Sequence, residues 1–355
     1  MLNSIHIKSF KSVVDEKFLT KKLTVLTGLN SSGKSSIIQA LRMAVRAGKG
    51  ASPYIRGLGS FPELKSVFTP PGESILFHLT FDDGDFMLGF KKDTYFTNGE
   101  FLPNLEYIGA NRLGPSSHLP IFKEKGTSYF TVGEQGEFCA DFYKNFERVS
   151  VHERLRKQEK EGGSNLLRHQ LQLWMEEISP NVEFDFTKEP KHDLSHIEIN
   201  GYRAANTGFG LSYSLPIVLS SLVLSASDEL GEITNNTVRT WFEKNKTHTP
   251  IFIIENPEAH IHPSGQTALG KLLAKAASSG IQVILETHSD HVIDGIRISA
   301  KNNDIDNTDI IINYCTKDED GKTTVEAIEV NKKGKLSSWP VGFFDESIKN
   351  LRELT

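Results

Sequence analysis

The sequence predicts an α/β fold with a mostly parallel sheet, an antiparallel β lobe and a helical insertion. Buried apolar strands alternate with helices at both ends of the chain, with LTVLTG near the start and IFIIE and IQVILE in the last third. Such alternation is typical of a parallel sheet covered by helices. Between these ends, short aromatic and β-branched runs separated by Gly, Pro and Asp predict antiparallel strands.

The order of these patterns divides the chain into a core and three additions. Residues 1–50 and 200–300 carry the core of the parallel sheet, 51–142 the antiparallel lobe, 143–199 the helical insertion, and 301–355 a C-terminal hairpin and helix. The sequence contains no evident internal repeat or low-complexity tract.

The helical insertion contains a stretch, residues 166–178, in which apolar residues recur at helical spacing. The residues on its apolar face are Leu167, Leu171, Trp174 and Ile178. This spacing predicts an amphipathic helix that packs against the core. No sustained heptad pattern accompanies it, so long coiled-coil arms are not expected.

The composition fits a globular cytoplasmic protein. A chain of 355 residues with 38% hydrophobic content can bury a sizeable core. Its net charge of −5 gives no bulk positive field for nucleic acid. Cys139 and Cys315 lack metal-ligand spacing and suit a reducing compartment. The polar N-terminus is not a signal peptide, and no apolar run is long enough to cross a membrane.

The strongest motif is GLNSSGKS at residues 28–35, which follows a predicted strand and opens a predicted helix. It matches the P-loop pattern, in which backbone N–H groups and the helix N-terminus hold phosphate charge. Lys34 is expected to reach the β- and γ-phosphates, and the Ser35 hydroxyl to bind Mg²⁺. The predicted nucleotide-binding residues are Asn30, Ser31, Ser32, Gly33, Lys34, Ser35 and Ser36.

A second motif, IFIIENPEAHIHP, begins at Ile251 as an apolar strand that runs into Glu255. Such a strand delivers a carboxylate to the metal of a nucleotide site. His260 and His262 follow two residues apart, but nothing nearby supplies the further ligand that a metal site needs. We therefore expect a structural or dimer-contact role for these histidines.

Two further segments contribute candidate residues. His288 follows the apolar strand IQVILE, where an imidazole can sense the γ-phosphate or polarise the attacking water. Gly208, Gly210 and Ser212 precede or open an apolar helix, where glycines can form an anion site. Taken without context, glycines in a loop more often form a simple turn.

These four motifs, in this order, resemble those of the ABC ATPase class that includes RecF, the SMC proteins and the overcoming-lysogenization-defect (OLD) nucleases. IHIKSFKSV and the P-loop segment resemble the N-terminal pattern of the group. ENPEAHIHP resembles its Walker B and D-loop, ETHSDHVID its switch-histidine segment, and TGFGLSYSLPIV its signature. ANRLGP, at residues 110–115, falls near the position of the Q-loop.

The resemblance implies a single ABC-type ATPase head that binds ATP and Mg²⁺. It also implies a homodimer or higher oligomer with composite sites, in which the signature turn of one subunit closes over the γ-phosphate held by the other. Residues 208–212 would form that signature turn. Ser35 and Glu255 would serve the metal, and Glu255, Glu258 and His288 would serve catalysis.

The sequence departs from this group at two points. Against the usual Asp-Glu-Pro-Glu, Glu255 replaces the aspartate and Asn256 replaces the adjacent glutamate. Because an amide cannot take a proton from water, slow hydrolysis is expected, and either Glu258 or Glu255 could substitute as the base. About 65 residues follow Asp290, too few for the Toprim nuclease domain of the OLD proteins, so no nuclease activity is expected from this chain alone.

Two functions agree with these features. The tail, residues 339–346, resembles a module of stand-alone bacterial ATPases, some of which serve Septu-type and retron-linked anti-phage systems beside a separate nuclease. This favours a slowly hydrolysing gate or sensor that controls an effector such as a nuclease.

The alternative is a RecF-like DNA-binding ATPase in repair or recombination. The basic candidates for DNA contact are Arg154, Arg156, Lys157, Lys160 and Arg168. The acidic residues that dilute them are Glu153, Glu159 and Glu161. This mixture is typical of a solvated helix face.

Overall fold

A computed structural model of the chain describes all residues except 93, 102, 124–129, 159–162, 207, 227–235, 341, 345 and 355. The β-strands are Leu2–Phe10 (β1), Val13–Leu19 (β2), Leu23–Gly28 (β3), Ile75–Phe81 (β4), Gly84–Lys91 (β5), Thr94–Asn98 (β6), Leu105–Ile108 (β7), Leu119–Pro120 (β8), Phe184–Glu189 (β9), Leu194–Ile199 (β10), Tyr202–Arg203 (β11), Ile251–Glu255 (β12), Gln282–Glu286 (β13), Ile310–Lys317 (β14) and Thr323–Glu329 (β15). The α-helices are Lys34–Gly48 (α1), Phe61–Leu64 (α2), Cys139–Phe146 (α3), Leu167–Ile178 (α4), Phe209–Leu224 (α5), Asn236–Lys246 (α6), Pro263–Ala277 (α7), Asp290–Lys301 (α8) and Glu346–Leu354 (α9).

The chain divides into two compact units. The first unit comprises Met1–Phe101 and Asp306–Thr355, and the second comprises Leu102–Ile305. None of the described helices is both long enough and apolar enough to cross a membrane.

The first unit contains an antiparallel sheet with the strand order β2-β1-β4-β5-β6. Phe77 on β4 lies in its core, where its ring meets Phe10 at 5.0 Å and Phe90 at 5.7 Å, both edge to face. The sheet therefore takes in the N-terminal strands and ends at Asn98, whereas the lobe was predicted over 51–142. The reason is that β1 and β4 share the same alternation of buried residues and pair along their length.

The first unit also holds the strand that leads into the P-loop. β3 pairs in parallel with β14, and β14 pairs antiparallel with β15. β3 is buried almost throughout, and α1 follows it with a buried apolar face. A buried strand followed by an amphipathic helix is the local pattern that the sequence predicted.

In the second unit, β12 lies between β13 and β7 and is parallel to both. β7 therefore belongs to this parallel arrangement rather than to an antiparallel lobe. The helices that follow β12 and β13, α7 and α8, cross closely at two glycines. A Cβ atom on Gly270 would lie 2.2 Å from the Val292 carbonyl oxygen, and one on Gly295 would lie 2.3 Å from that of Thr267, so only glycine fits at either position.

The segment predicted as a helical insertion, 143–199, is mixed. The prediction for α4 is confirmed, because its apolar face, including Leu171 and Trp174, is buried. The final part of the segment instead forms the antiparallel pair β9 and β10, and β8 and β11 also pair with β10. In this pair, Phe186 and Ile197 are buried while their sequence neighbours are more exposed, which is the two-residue period of a strand.

Candidate nucleotide site

The P-loop of the first unit turns through backbone conformations that favour glycine. Gly28, Ser31 and Gly33 have φ angles of 137°, 63° and 106°. A Cβ atom on Gly28 would lie 2.0 Å from the Cys315 carbonyl oxygen, and one on Gly33 would lie 2.3 Å from Thr323 Oγ1. Both glycines are thus required by conformation and by space.

The loop carries a buried lysine and leads into a helix without a side-chain cap. Lys34 Nζ donates to the carbonyl oxygens of Gly28 at 3.0 Å and Leu29 at 2.8 Å. The first turn of α1, which is fully described, has neither an acidic residue nor a capping side chain. Its N-terminal end therefore keeps the positive dipole that attracts phosphate.

The other predicted nucleotide-binding residues differ in exposure. Asn30, Ser31 and Ser35 are exposed, whereas Ser32 and Ser36 are buried. The Ser35 hydroxyl lies in the first turn of α1, an oxygen donor of the kind that Mg²⁺ prefers. The structure thus leaves Ser35, the residue predicted to bind the metal, exposed.

A threonine far along the chain supports the P-loop, and the sequence motifs did not reveal it. Thr323, 2% exposed at the start of β15, donates from Oγ1 to the Ser32 carbonyl oxygen at 3.0 Å. Its hydroxyl also lies 2.8 Å from Ser12 Oγ, and its backbone N–H donates to the Ser12 carbonyl oxygen at 2.8 Å. The only sequence signal for this support is a polar residue at the start of a strand.

In the second unit, β12 ends at the half-buried Glu255. Glu255 Oε1 accepts a hydrogen bond from the hydroxyl of Tyr107 on β7 at 3.0 Å. The next residue, Asn256, has a φ angle of 45° and donates its backbone N–H to the Glu286 carbonyl oxygen at 2.9 Å. Asparagine tolerates this left-handed conformation better than glutamate does, so the backbone gives a structural reason for the amide.

The buried side chain of Arg112 also contacts the end of β12. Its two terminal nitrogens donate to the carbonyl oxygens of Glu255 at 2.9 Å and Asn256 at 2.5 Å. Its guanidinium carbon lies 5.0 Å from the ring centroid of Tyr213 on α5. Arg112 is 3% exposed, and this burial lowers its pKa to about 10 despite the favourable charges nearby, so it stays cationic at neutral pH.

Glu258 holds the segment that carries the predicted switch histidine. Its Oε2 accepts from Thr287 Oγ1 at 2.7 Å, and its Oε1 accepts from the His288 backbone N–H at 2.8 Å. His288 itself is exposed just beyond β13. Because both oxygens of Glu258 are engaged, the geometry favours a positioning role for this residue over the role of substitute base.

The predicted signature residues lie at the start of α5. Gly208 is exposed, and a Cβ atom built on it meets nothing within 4 Å. A Cβ atom on Gly210 would instead lie 2.5 Å from the His260 carbonyl oxygen. Ser212 is half-buried, and the His260 ring meets Tyr213 edge to face at 4.8 Å.

The two histidines after β12 have local partners. The His260 ring packs on the start of α5, as described above. His262 Nδ1 lies 2.9 Å from Ser264 Oγ and caps α7. Among the residues described, no group of three or more His, Cys, Asp and Glu side chains could hold a metal ion.

The basic residues considered for DNA contact are partly used within the second unit. Arg156 Nε donates to the Val151 carbonyl oxygen at 2.7 Å. Lys157 pairs with Glu177 and lies 4.1 Å from the ring centroid of Trp174, and burial lowers its pKa to about 8. Lys160, Glu159 and Glu161 lie outside the described residues.

Three family models match separate parts of the chain. Residues 144–293 match a family described as "AAA ATPase domain". Residues 23–107 match "AAA domain, putative AbiEii toxin, Type IV TA system", and residues 305–354 match "Protein of unknown function (DUF3696)". No curated protein matches the chain significantly.

The chain is also similar to solved ATPase heads. An SMC head with an extended coiled coil, bound to the C-terminal domain of ScpA derived from Pyrococcus furiosus, matches at 13% identity over 99% of both chains, with a TM-score of 0.50. The SMC head from Thermotoga maritima matches at 14% identity over 93% of this chain and 99% of its own, with a TM-score of 0.45. The recombination mediator RecF-ATP of the RecFOR pathway matches at 13% identity over 92% and 99%, with a TM-score of 0.43.

The AAA ATPase matches agree with the P-loop in its strand and helix setting. Two segments of the chain, 144–293 and 23–107, are similar to AAA ATPase domains, and its fold is similar to that of an SMC head. Its α/β head, with parallel and antiparallel strands and several helices, confirms the predicted fold class.

Proposed function

We propose that the chain is a slowly hydrolysing Mg-ATP gate or sensor that works as a dimer and controls a separate effector. The observation that carries the proposal is the end of β12, where Asn256 stands in place of a catalytic carboxylate and both oxygens of Glu258 are engaged. An amide can orient water but cannot accept its proton, and that transfer is worth roughly 10²–10⁴-fold in rate. Tight binding with slow turnover suits a gate.

Each residue of the proposed reaction has a limited task. Lys34 and the first turn of α1 bind the phosphates. The Ser35 hydroxyl and the Glu255 carboxylate are oxygen donors that fit Mg²⁺, which usually takes one or two protein ligands together with phosphates and waters. When bound, the ion would neutralise phosphate charge. Asn256 orients the attacking water, and the exposed His288 contacts the γ-phosphate.

The decisive experiment is a phosphate-release assay on the purified chain. We expect a kcat well below the ~1–10³ s⁻¹ typical of enzymes. Asn256→Asp should raise it by at least about 10-fold, because it supplies a carboxylate in a conformation that aspartate tolerates. Asn303, at φ 61° on the surface, provides the control, and Asn303→Asp should leave kcat unchanged. Fast wild-type turnover would overturn the proposal.

The exposed Gly208 supports composite sites. Open space around its Cβ position and the uncapped start of α5 suit a phosphate held by another copy. We expect Gly208→Glu to prevent dimerisation with a non-hydrolysable ATP analogue, whereas Gly208→Ala should dimerise normally in light scattering. Gly210→Glu is a poorer test, because its Cβ would clash with His260 of the same chain. Normal dimerisation of Gly208→Glu would contradict the composite site.

The effector is proposed to be a nuclease of an anti-phage system. The match of residues 23–107 to a family described as a toxin of a toxin–antitoxin system supports a defence setting. Co-expression with a nuclease encoded beside this gene should give DNA cleavage that changes with the nucleotide state, while the chain alone should not cleave. If the chain alone instead bound duplex DNA with a steep dependence on salt, the DNA-repair alternative would be favoured.

A further inference from the structure

Arg112 connects two parts of the second unit that the sequence motifs treat separately. On one side its two terminal nitrogens hold the carbonyl oxygens of Glu255 and Asn256. On the other side its guanidinium faces the ring of Tyr213, the residue directly after Ser212. One side chain thus touches both the acid end of β12 and the first turns of the signature helix α5.

The contacts with β12 fix the direction of two functional side chains. A planar guanidinium binds two acceptors in one geometry, which a lysine ammonium cannot reproduce. Because Asn256 has a left-handed backbone, its conformation depends on the groups that hold it, and such residues persist only where their surroundings enforce them. A displacement of the guanidinium would therefore redirect both Glu255 and Asn256.

The signature helix reaches the same loop from a second direction. The Tyr213 ring meets the His260 ring at 4.8 Å, and Gly210 leaves no room for a Cβ atom beside the His260 carbonyl oxygen. The loop of residues 256–260 is consequently held between α5 and Arg112. Movement of the start of α5 cannot occur without changing these contacts.

We propose that Arg112 is a positioning residue that couples the signature turn to the acid end of β12. When a phosphate docks on the signature turn, Tyr213 shifts against the guanidinium, and the shift reaches the Glu255 and Asn256 carbonyls. The coupling rests on the proposed ATPase function and assigns its regulation to a buried residue that contacts both elements.

Hydrogen–deuterium exchange tests the coupling without any need for hydrolysis. In Arg112→Lys we expect faster exchange in both residues 209–213 and 255–260, and unchanged exchange in the P-loop, residues 28–36. Arg156 also binds a backbone carbonyl of the second unit, so Arg156→Lys is the matched control and should leave both segments unchanged. Faster exchange in only one of the two segments, or in neither, would overturn the proposal.

A double-mutant cycle then tests the coupling in turnover. Arg112→Lys and Tyr213→Leu should each lower kcat by about 10-fold, with ATP affinity within about threefold of wild type, and the double variant should be little worse than either alone. Tyr213→Leu changes a partly exposed ring and covers the case in which Arg112→Lys folds poorly. Additive losses would reduce Arg112 to a structural role. A wild type that hydrolyses no ATP even in a single-turnover assay would refute the proposed ATPase function, while the exchange result would still decide the coupling.

Discussion

The P-loop and the acid end of β12 are built in opposite ways. The P-loop is defined by contiguous residues, since its conformation follows from Gly28 and Gly33 and its lysine bonds to carbonyl oxygens within the loop. Glu255, in contrast, is held by Tyr107 and Arg112, which precede it by 148 and 143 residues. A site of the first kind can be recognised from sequence, whereas a site of the second kind shows only its residue types.

The largest expected effect concerns the lysine of the P-loop. Lys34→Ala removes the main point charge for the β- and γ-phosphates, so we expect ATP affinity to fall by about 100-fold or more in calorimetry. Lys22 also lies in the first unit and pairs with Asp309, so Lys22→Ala serves as the control and should bind ATP normally. Wild-type affinity in Lys34→Ala would refute the P-loop assignment.

The second largest effect concerns Glu258, whose hydrogen-bond partners lie 29 and 30 residues further along the chain. Glu258→Gln places an amide where both carboxylate oxygens accept hydrogen bonds, so it should displace His288 and lower kcat by about 10-fold without weakening ATP binding. The exposed Glu198 supplies a neutral control as Glu198→Gln. If Glu258 only positions His288, the pH–rate profile of Glu258→Gln should keep the same acidic limb as that of the wild type. If that limb disappears, Glu258 is the base after all.

A smaller effect would show that even the P-loop depends on one distant residue. Thr323→Val leaves the buried Ser32 carbonyl without its donor, at a cost of about 1–3 kcal/mol. We expect ATP affinity to fall by roughly 3–10-fold, because part of this cost is already present in the free protein and only the remainder weakens binding. Thr324, whose hydroxyl pairs with Thr316 instead, gives the control Thr324→Val. Equal affinity in the two variants would remove the distant support from the P-loop.

The smallest effect is on stability, through Glu106 on β7. Burial raises the pKa of Glu106 from 4.5 to about 8, so its protonated form stabilises the fold fully below pH 4.5. That contribution is lost as the pH rises to about 8. Glu106→Gln should therefore remove this pH dependence and stabilise the protein at pH 9 by at least about 1 kcal/mol in urea unfolding. If the free energy of unfolding depended on pH in the same way in the wild type and in Glu106→Gln, Glu106 would not be a buried neutral carboxyl.

The same contrast explains which features could be predicted from the sequence and which could not. The α/β fold, the P-loop between β3 and α1 and the buried face of α4 follow from local periodicity and spacing, and each could be predicted. The strand β9 could not, because charged residues mask its alternation. The segment ANRLGP was noted in the sequence, but the contacts of its Arg112 could not be predicted, because its partners on β12 are backbone carbonyls, which every residue carries.

The support that Thr323 gives to the P-loop has a consequence for biosynthesis. β3 needs β14 as its parallel partner, and Ser32 receives its hydrogen bond from a residue 291 positions later. A ribosome adding about 5–20 residues per second takes roughly 15–60 seconds to cover that distance. During this interval the nascent P-loop lacks its partner strand, so the emerging chain should not hold ATP as the finished protein does. We therefore expect nucleotide binding to begin late in translation.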